Sequence, residues 1–348
     1  MPSADRVSTP YVQDILAQPD ALRQTVAALR EPDGLSNFAR DLAGGKLSRI
    51  VLTGMGASYH ALIPLHIRLI QAGLPAQLIE TSELIYSYSA LLSPDSLLIV
   101  VSQSGSSAEI THLLKQTGGR SSMIGVTNTP DSPLAREATG VLLTEAGSES
   151  SVACKTYVAA LAALAWLGER LIEPSQDAVR DRLNGAAEAV ERYLAGFDSH
   201  IDTLVELLAG VRYLTYVGRG ASMAAVRTGA MIAKEAAHFQ AEGMGSAAFR
   251  HGPLEAVSAE QFVMLYAGPA DTAGLNEGLY WDIVAFGGKA ALIGAAQGAG
   301  PLFLPATPPE TAPILEVLPA QMISVALARL NDHPAGRFRF IGKVVATE

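Results

Sequence analysis

The chain has 348 residues, 49% hydrophobic and 17% charged, which suits two lobes with sizeable cores and excludes a disordered chain. Its formal charge is −9, from 25 basic and 34 acidic residues without a basic cluster, and this excludes the positive face that nucleic acid requires. A single cysteine, Cys154, excludes an internal disulfide and a multi-cysteine metal site. Met1–Pro10 lacks the features of a secretory signal and no apolar stretch of about 18 residues runs unbroken, so a cytoplasmic protein away from membranes is expected.

Along the chain, Asp20–Leu29 reads as a helix, and Arg49–Gly54 as an apolar strand entering a Gly54-x-Gly56-Ala57-Ser58 turn and a helix at Ala61–Ala72. Leu97–Val101 reads as a buried parallel strand, bounded by Pro94 and by the turn Ser102-Gln103-Ser104-Gly105-Ser106-Ser107, with a helix following at Ala108–Gln116. Strands are predicted at Met123–Thr127 and Val141–Thr144, then helices at Lys155–Leu171, Ala178–Ala195 and His200–Leu208. Tyr213–Gly218 is a strand, Ala224–Phe239 a helix, and the pattern of Ser93–Val101 returns at Ser258–Tyr266. Ala290–Ile293 and Val344–Thr347 read as strands and Gln321–Leu330 as a helix. Strand–helix alternation of this kind makes an α/β protein with parallel sheets flanked by helices, a three-layer arrangement of the Rossmann-like or flavodoxin-like kind. The expected division is a helical segment at 1–34, a first lobe at 35–175, a helical connector at 176–208 and a second lobe at 209–348.

The turn at Gly54–Ser58 recurs 164 positions later as Gly218-Arg219-Gly220-Ala221-Ser222 (218 − 54), which points to a duplicated βα unit. The serine turn has no such echo, since its counterpart is Ala267-Gly268-Pro269-Ala270. Serine is favoured at helix caps, yet four hydroxyls and Gln103 exceed what one cap needs. Beside a helix N-terminus they suit a phosphate dianion without lysine or arginine, and one such site per chain is expected, in the first half. In the second half, Glu235 lies late in an Ala-rich helix and His251 precedes a rigid Gly-Pro turn, while Lys343 stands five residues from the end (348 − 343). Singly, these read as a helix-surface carboxylate, a loop histidine and a solvated lysine. Beside a phosphate site, they suit proton abstraction next to a carbonyl, sugar ring opening and a Schiff base.

The chain resembles the sugar isomerase (SIS) family, and within it the two-lobed isomerase domains of glutamine–fructose-6-phosphate aminotransferases. The resemblance is carried by Asp14-Ile15-Leu16-Ala17-Gln18-Pro19, Gly56-Ala57-Ser58-Tyr59-His60, Ser102-Gln103-Ser104-Gly105 and Glu149-Ser150-Ser151-Val152-Ala153. It continues through Lys234-Glu235, His251-Gly252-Pro253-Leu254 and Ile341-Gly342-Lys343-Val344, in order over nearly the whole chain. It implies two tandem SIS lobes, with Ser58, Ser102, Gln103, Ser104 and Ser107 holding a sugar phosphate. Val152 would offer backbone to sugar hydroxyls with Glu149 nearby, and Glu235 would shuttle a proton between C1 and C2. His251 would assist ring opening from the neighbouring subunit of a homodimer with shared active sites, and Lys343 would reach the sugar carbonyl.

Several positions depart from the family pattern. Ala57 replaces a threonine, Cys154-Lys155 stands where Ser-Thr-Lys is usual, and Ile232 takes the place of a lysine three residues before Glu235. The chain also begins at the isomerase part, without a glutaminase cysteine. The expected activity is therefore a deaminating isomerase or deglycase on an aminosugar phosphate or sugar–amine phosphate, of the glucosamine-6-phosphate/fructose-6-phosphate type. A simple aldose–ketose phosphate isomerase is the nearest alternative. A non-catalytic sugar-phosphate sensor is another, although the 48 residues before Arg49 look too short and too little basic for a DNA-binding segment. Tyr59 occupies the third-glycine position of a dinucleotide fingerprint, and the seven histidines show no zinc spacing, so no cofactor and no metal are expected.

Overall fold

The computed structural model describes residues 9–173, 178–294 and 300–344. Helices α1 (Pro10–Leu16), α2 (Gln18–Ala28) and α3 (Leu35–Ala43) precede β1 (Arg49–Gly54), α4 (Gly56–Gln71), β2 (Ala76–Glu80) and α5 (Thr81–Tyr86). The chain continues through β3 (Ser96–Val101), α6 (Ala108–Thr117), β4 (Ser122–Thr127), α7 (Pro133–Glu137) and β5 (Gly140–Leu143). Helices α8 (Lys155–Ile172), α9 (Val179–Leu194) and α10 (Phe197–Leu207) follow. Then come β6 (Tyr213–Gly218), α11 (Met223–Ala237), β7 (Ala241–Gly245), α12 (Ser246–Arg250), β8 (Gln261–Tyr266), α13 (Ala270–Ala285), β9 (Lys289–Ile293) and α14 (Ala312–Leu330).

Two compact units interleave along the chain. One comprises residues 20–148, 155–173, 178–184 and 340–344, and the other residues 9–19, 149–154, 185–294 and 300–339. The first holds a five-stranded parallel sheet of order β2-β1-β3-β4-β5. Its middle strand β3 is buried along all six residues, as a central parallel strand covered on both faces must be. Val51, Leu98 and Val100 pack there against Ile110, Leu113 and Leu84. The second unit holds a four-stranded parallel sheet of order β7-β6-β8-β9, the same order without a fifth strand. Val217, Val263 and Leu265 form its core with Phe249, Leu279 and Ile283. The order 2-1-3-4-5 is that of flavodoxin, the flavodoxin-like arrangement named in the expectation.

Several elements differ from the reading of the sequence. Edge strands β2 and β7 carry too little apolar alternation to be recognised; β7 is Ala-Glu-Gly-Met-Gly and forms because β6 supplies its hydrogen bonds. Helix α13 holds Gly274 and Gly278 with no clean apolar period, and α14 starts nine residues before Gln321 because Pro313 sits in its first turn and Pro319 is tolerated inside it. By length and composition α14 could cross a membrane, but 83% of that stretch is buried inside the protein, as in a core helix. Its Gln321 exchanges reciprocal amide hydrogen bonds with Gln18 at 2.8 and 2.9 Å. Of the strand read at Val344–Thr347, residues 345–347 lie outside the described residues.

Candidate active site

In the five-stranded unit, Gly54 and Val101 stand opposite each other at the carboxyl ends of β1 and β3. The strand order reverses between these two, with β2 on one side and β4 on the other, and such a reversal opens a crevice where parallel α/β sheets bind ligands. Gly56 adopts φ +52° and starts α4 at once, so Ser58 lies in the first turn of that helix rather than in a loop before it. Beside it, Ser107 caps α6 by accepting the Ile110 N–H at 3.4 Å. Two helix N-termini, with their positive dipole ends, thus follow adjacent strand ends.

The serine turn is braced from within. Ser102 Oγ accepts the Gly105 N–H at 3.1 Å and Ser104 Oγ accepts the Ser106 N–H at 3.3 Å. The Gln103 carbonyl accepts from Asn128 N–H at 3.1 Å and from the hydroxyls of Thr127 and Thr129 at 3.2 and 3.3 Å. Gly105 holds φ +62°, and a Cβ there would sit 2.2 Å from Ser132 Oγ, so no other residue fits. The capping role weighed for these serines is real at Ser107. In these contacts Ser102, Ser104 and Ser107 act as acceptors, and each hydroxyl keeps its own hydrogen to donate. Ser102 is buried and Ser58, Gln103, Ser104 and Ser107 are half-buried, an environment that strengthens hydrogen bonds to an anion. Lys343 also belongs to this unit and is half-buried.

The remaining candidates lie in the four-stranded unit. Glu149 turns inward, its Oε1 accepting the Cys154 N–H at 3.0 Å and the thiol at 3.5 Å, which closes the 149–154 loop on itself; Val152 is buried. Glu235 is half-buried near the end of α11. His251 ends α12, exposed, its N–H bonded to the Ala248 carbonyl at 3.0 Å. Tyr11 is fully buried on Ser324 Oγ at 3.0 Å, and burial pushes its phenol well up, helped by Cys154, Tyr216 and Glu235 nearby. Asp14, Glu149 and Cys154 bring three ligand atoms within 4.8 Å of one another and are the described residues able to hold a metal. Histidine spacing could not reveal that group, whose members come together only in the fold.

The second Gly-x-Gly-Ala-Ser turn is differently furnished. Gly220 repeats the left-handed φ, at +55°, but Ser222 Oγ donates to Glu316 Oε1 at 2.6 Å. Burial pushes the Glu316 carboxyl up to about 7 against the opposing effect of that hydrogen bond. Arg219 Nε donates to Asn276 Oδ1 at 3.1 Å, and Asn276 Nδ2 serves the carbonyls of Tyr266 and Ala267. The reading of the sequence missed Glu316; a carboxylate inside the apolar run Ile314–Pro319 was the available signal.

Residues 46–170, which include the whole serine turn, match the SIS domain family model. Over 354 aligned residues the chain is 30% identical to a glutamine–fructose-6-phosphate aminotransferase (isomerizing) of Pyrococcus horikoshii, covering 97% of this chain and 57% of that protein. The chain thus spans little more than half the length of this relative. In fold it is similar to the C-terminal domain of a glucosamine-fructose-6-phosphate aminotransferase of Francisella tularensis, with TM-score 0.81, 22% identity and coverage of 96% of this chain and 99% of that one. A glucosamine-6-phosphate deaminase of Thermotoga maritima superposes with TM-score 0.77 at 17% identity, over 97% of this chain and 100% of that one.

Proposed function

We propose that this SIS-domain chain is a phosphosugar isomerase acting on an aminosugar phosphate or sugar–amine phosphate. Carrying this reading is the braced serine turn at the β1/β3 reversal, where hydroxyls already satisfied as acceptors retain hydrogens for phosphate oxygens. Ser58, Ser102, Gln103, Ser104 and Ser107 hold the phosphate. The Val152 backbone meets the sugar hydroxyls, with Glu149 ordering the loop. Glu235 takes the proton at C2 of the ring-opened sugar and returns it at C1, or the reverse, through an enediol- or enolamine-like state. His251 moves the ring-opening proton, supplied by the partner of a homodimer, and the Lys343 amine engages the carbonyl. A cytoplasmic setting goes with this reading. Amine loss is the leading outcome. Ile232, fully buried where the family has a lysine, favours plain aldose–ketose exchange as the second reading.

The test is ammonia release from glucosamine 6-phosphate by wild type and Glu235→Gln side by side. Release that disappears in the variant supports a deaminating isomerase. No release moves the assay to a fructosyl-amine 6-phosphate and to hexose phosphates. Tight binding without turnover of any of them overturns the enzyme reading in favour of a sensor.

A further inference from the structure

One buried glycine joins three segments that are far apart in sequence. The Gly336 N–H donates to the Ala236 carbonyl, one residue after Glu235, at 3.0 Å. The Ser151 hydroxyl, inside the 149–154 loop, donates to the Gly336 carbonyl at 2.6 Å. Gly336 holds φ +81°, and a Cβ there would stand 2.4 Å from Tyr11 Cβ and 2.6 Å from Ser151 Oγ. One position on, the Arg337 carbonyl accepts from His238 Nε2 at 2.9 Å, and the His238 ring stacks on His333 at 4.0 Å. His238 itself terminates α11 with φ +51°. Beyond this knot the chain runs exposed through Arg339, Phe340 and Ile341 before reaching Lys343.

We propose that Ser151 and Gly336 are positioning residues, which clamp the root of the C-terminal segment to the end of the helix that carries Glu235. The inference rests on the proposed function for the roles of Glu235 and Lys343; the clamp itself rests only on the contacts above. With the clamp closed, Lys343 lies seven residues past the fixed point (343 − 336). With the fixed point moved back to the end of α14 at Leu330, it lies thirteen past it (343 − 330). The effective concentration of a group held in this way falls roughly as the −3/2 power of the intervening length, a loss of about 2.5-fold before any loss of orientation. The two hydrogen bonds also tie the sugar-facing loop to the base-bearing helix, so one disturbance reaches both.

Ser151→Ala removes one hydrogen bond with little steric change, and Gly336→Ala forces the root away from Tyr11. The first readout needs no substrate: tryptic cleavage after Arg337, Arg339 and Lys343 in the native protein, followed by mass spectrometry. Cleavage at least threefold faster in Ser151→Ala, with an unchanged circular dichroism spectrum, is expected, and faster still in Gly336→Ala. Equal rates in wild type and Ser151→Ala overturn the clamp even if Gly336→Ala fails to fold. The second readout is turnover of whichever substrate the wild type accepts: kcat falls about 2.5-fold or more with KM unchanged, because the phosphate grip is untouched. Faster cleavage with unaltered kcat overturns the positioning role. A wild type inactive on every substrate tried refutes the proposed function, while the cleavage rates still decide the clamp.

Discussion

The two Gly-x-Gly-Ala-Ser turns start alike and end differently. Both follow the strand next to the edge of their sheet, β1 and β6, and their second glycines share the left-handed conformation, φ +52° at Gly56 and +55° at Gly220. The first passes directly into α4, and β3 beside it runs into a turn of hydroxyls. The second passes through a short 3-10 turn, and β8 beside it runs into Ala267-Gly268-Pro269, where proline offers no N–H and Asn276 ties down the strand-end carbonyls. Its serine spends its hydroxyl hydrogen on Glu316, a carboxylate from within the chain. Five residues suffice to shape the turn, but its capacity for an external anion depends on what the neighbouring strand and a distant helix deliver.

Substitutions in the two turns can break this contrast. The largest effect is expected at Gly105→Ala, which meets both a forbidden Cβ position and a left-handed φ: a loss of about 3 kcal/mol by chemical denaturation. In the second Gly-x-Gly-Ala-Ser turn, Gly220→Ala, whose new Cβ would meet only Pro269 Cγ at 3.8 Å, carries the φ penalty alone, about 1 kcal/mol. Equal losses would mean that the serine turn is not the more tightly built of the two.

Glu316→Gln comes next. Between the carboxyl's ordinary 4.5 and its folded value of about 7, the native state retains a proton that the unfolded chain has released. Stability therefore falls as pH rises across that window and stays low above it. The amide is neutral throughout, so the variant should gain about 2–3 kcal/mol on the wild type between pH 4.5 and pH 8. Parallel pH profiles of the two proteins in guanidinium titrations would remove Glu316 as an internal anion with a displaced titration.

The smallest effects separate the serines. Ser102→Ala deletes the acceptor of the buried Gly105 N–H, about 1 kcal/mol of stability, and should weaken inorganic phosphate binding about tenfold by calorimetry. Ser222→Ala should leave phosphate binding unchanged and move the Glu316 titration further up, since the hydrogen bond that lowers it is gone. Phosphate affinity that falls equally in both variants would abolish the asymmetry.

The strands of the two cores were legible because a parallel strand covered on both faces must be largely apolar: Leu97–Val101 and the Ile50–Leu52 stretch of β1 announce themselves. Helices with strong local preference, such as α6 and α8, were legible for a similar reason. Edge strands β2 and β7 were not, for an edge strand is held by its neighbour's hydrogen bonds and needs little of its own side chains. Helix α13 was masked by its internal glycines and α14 by its prolines, whose penalties tertiary burial outweighs. Among candidate site residues, the serines of the 102–107 turn and Gly105 could be found from one contiguous stretch. Glu316, Ser151 and Gly336 could not, because each matters through a partner remote in the chain.

By itself the sequence determined the alternation of strands and helices, the duplicated turn and the asymmetry of hydroxyls between the halves, all of which depend on residues within a few positions of each other. Tertiary structure alone decided that Glu316 answers Ser222 across 94 positions and Ser151 answers Gly336 across 185. It also decided that Asp14 meets Glu149 and Cys154. Hydrogen bonds and burial act over a few ångströms of space, and only the folded chain sets which distant residues come that close.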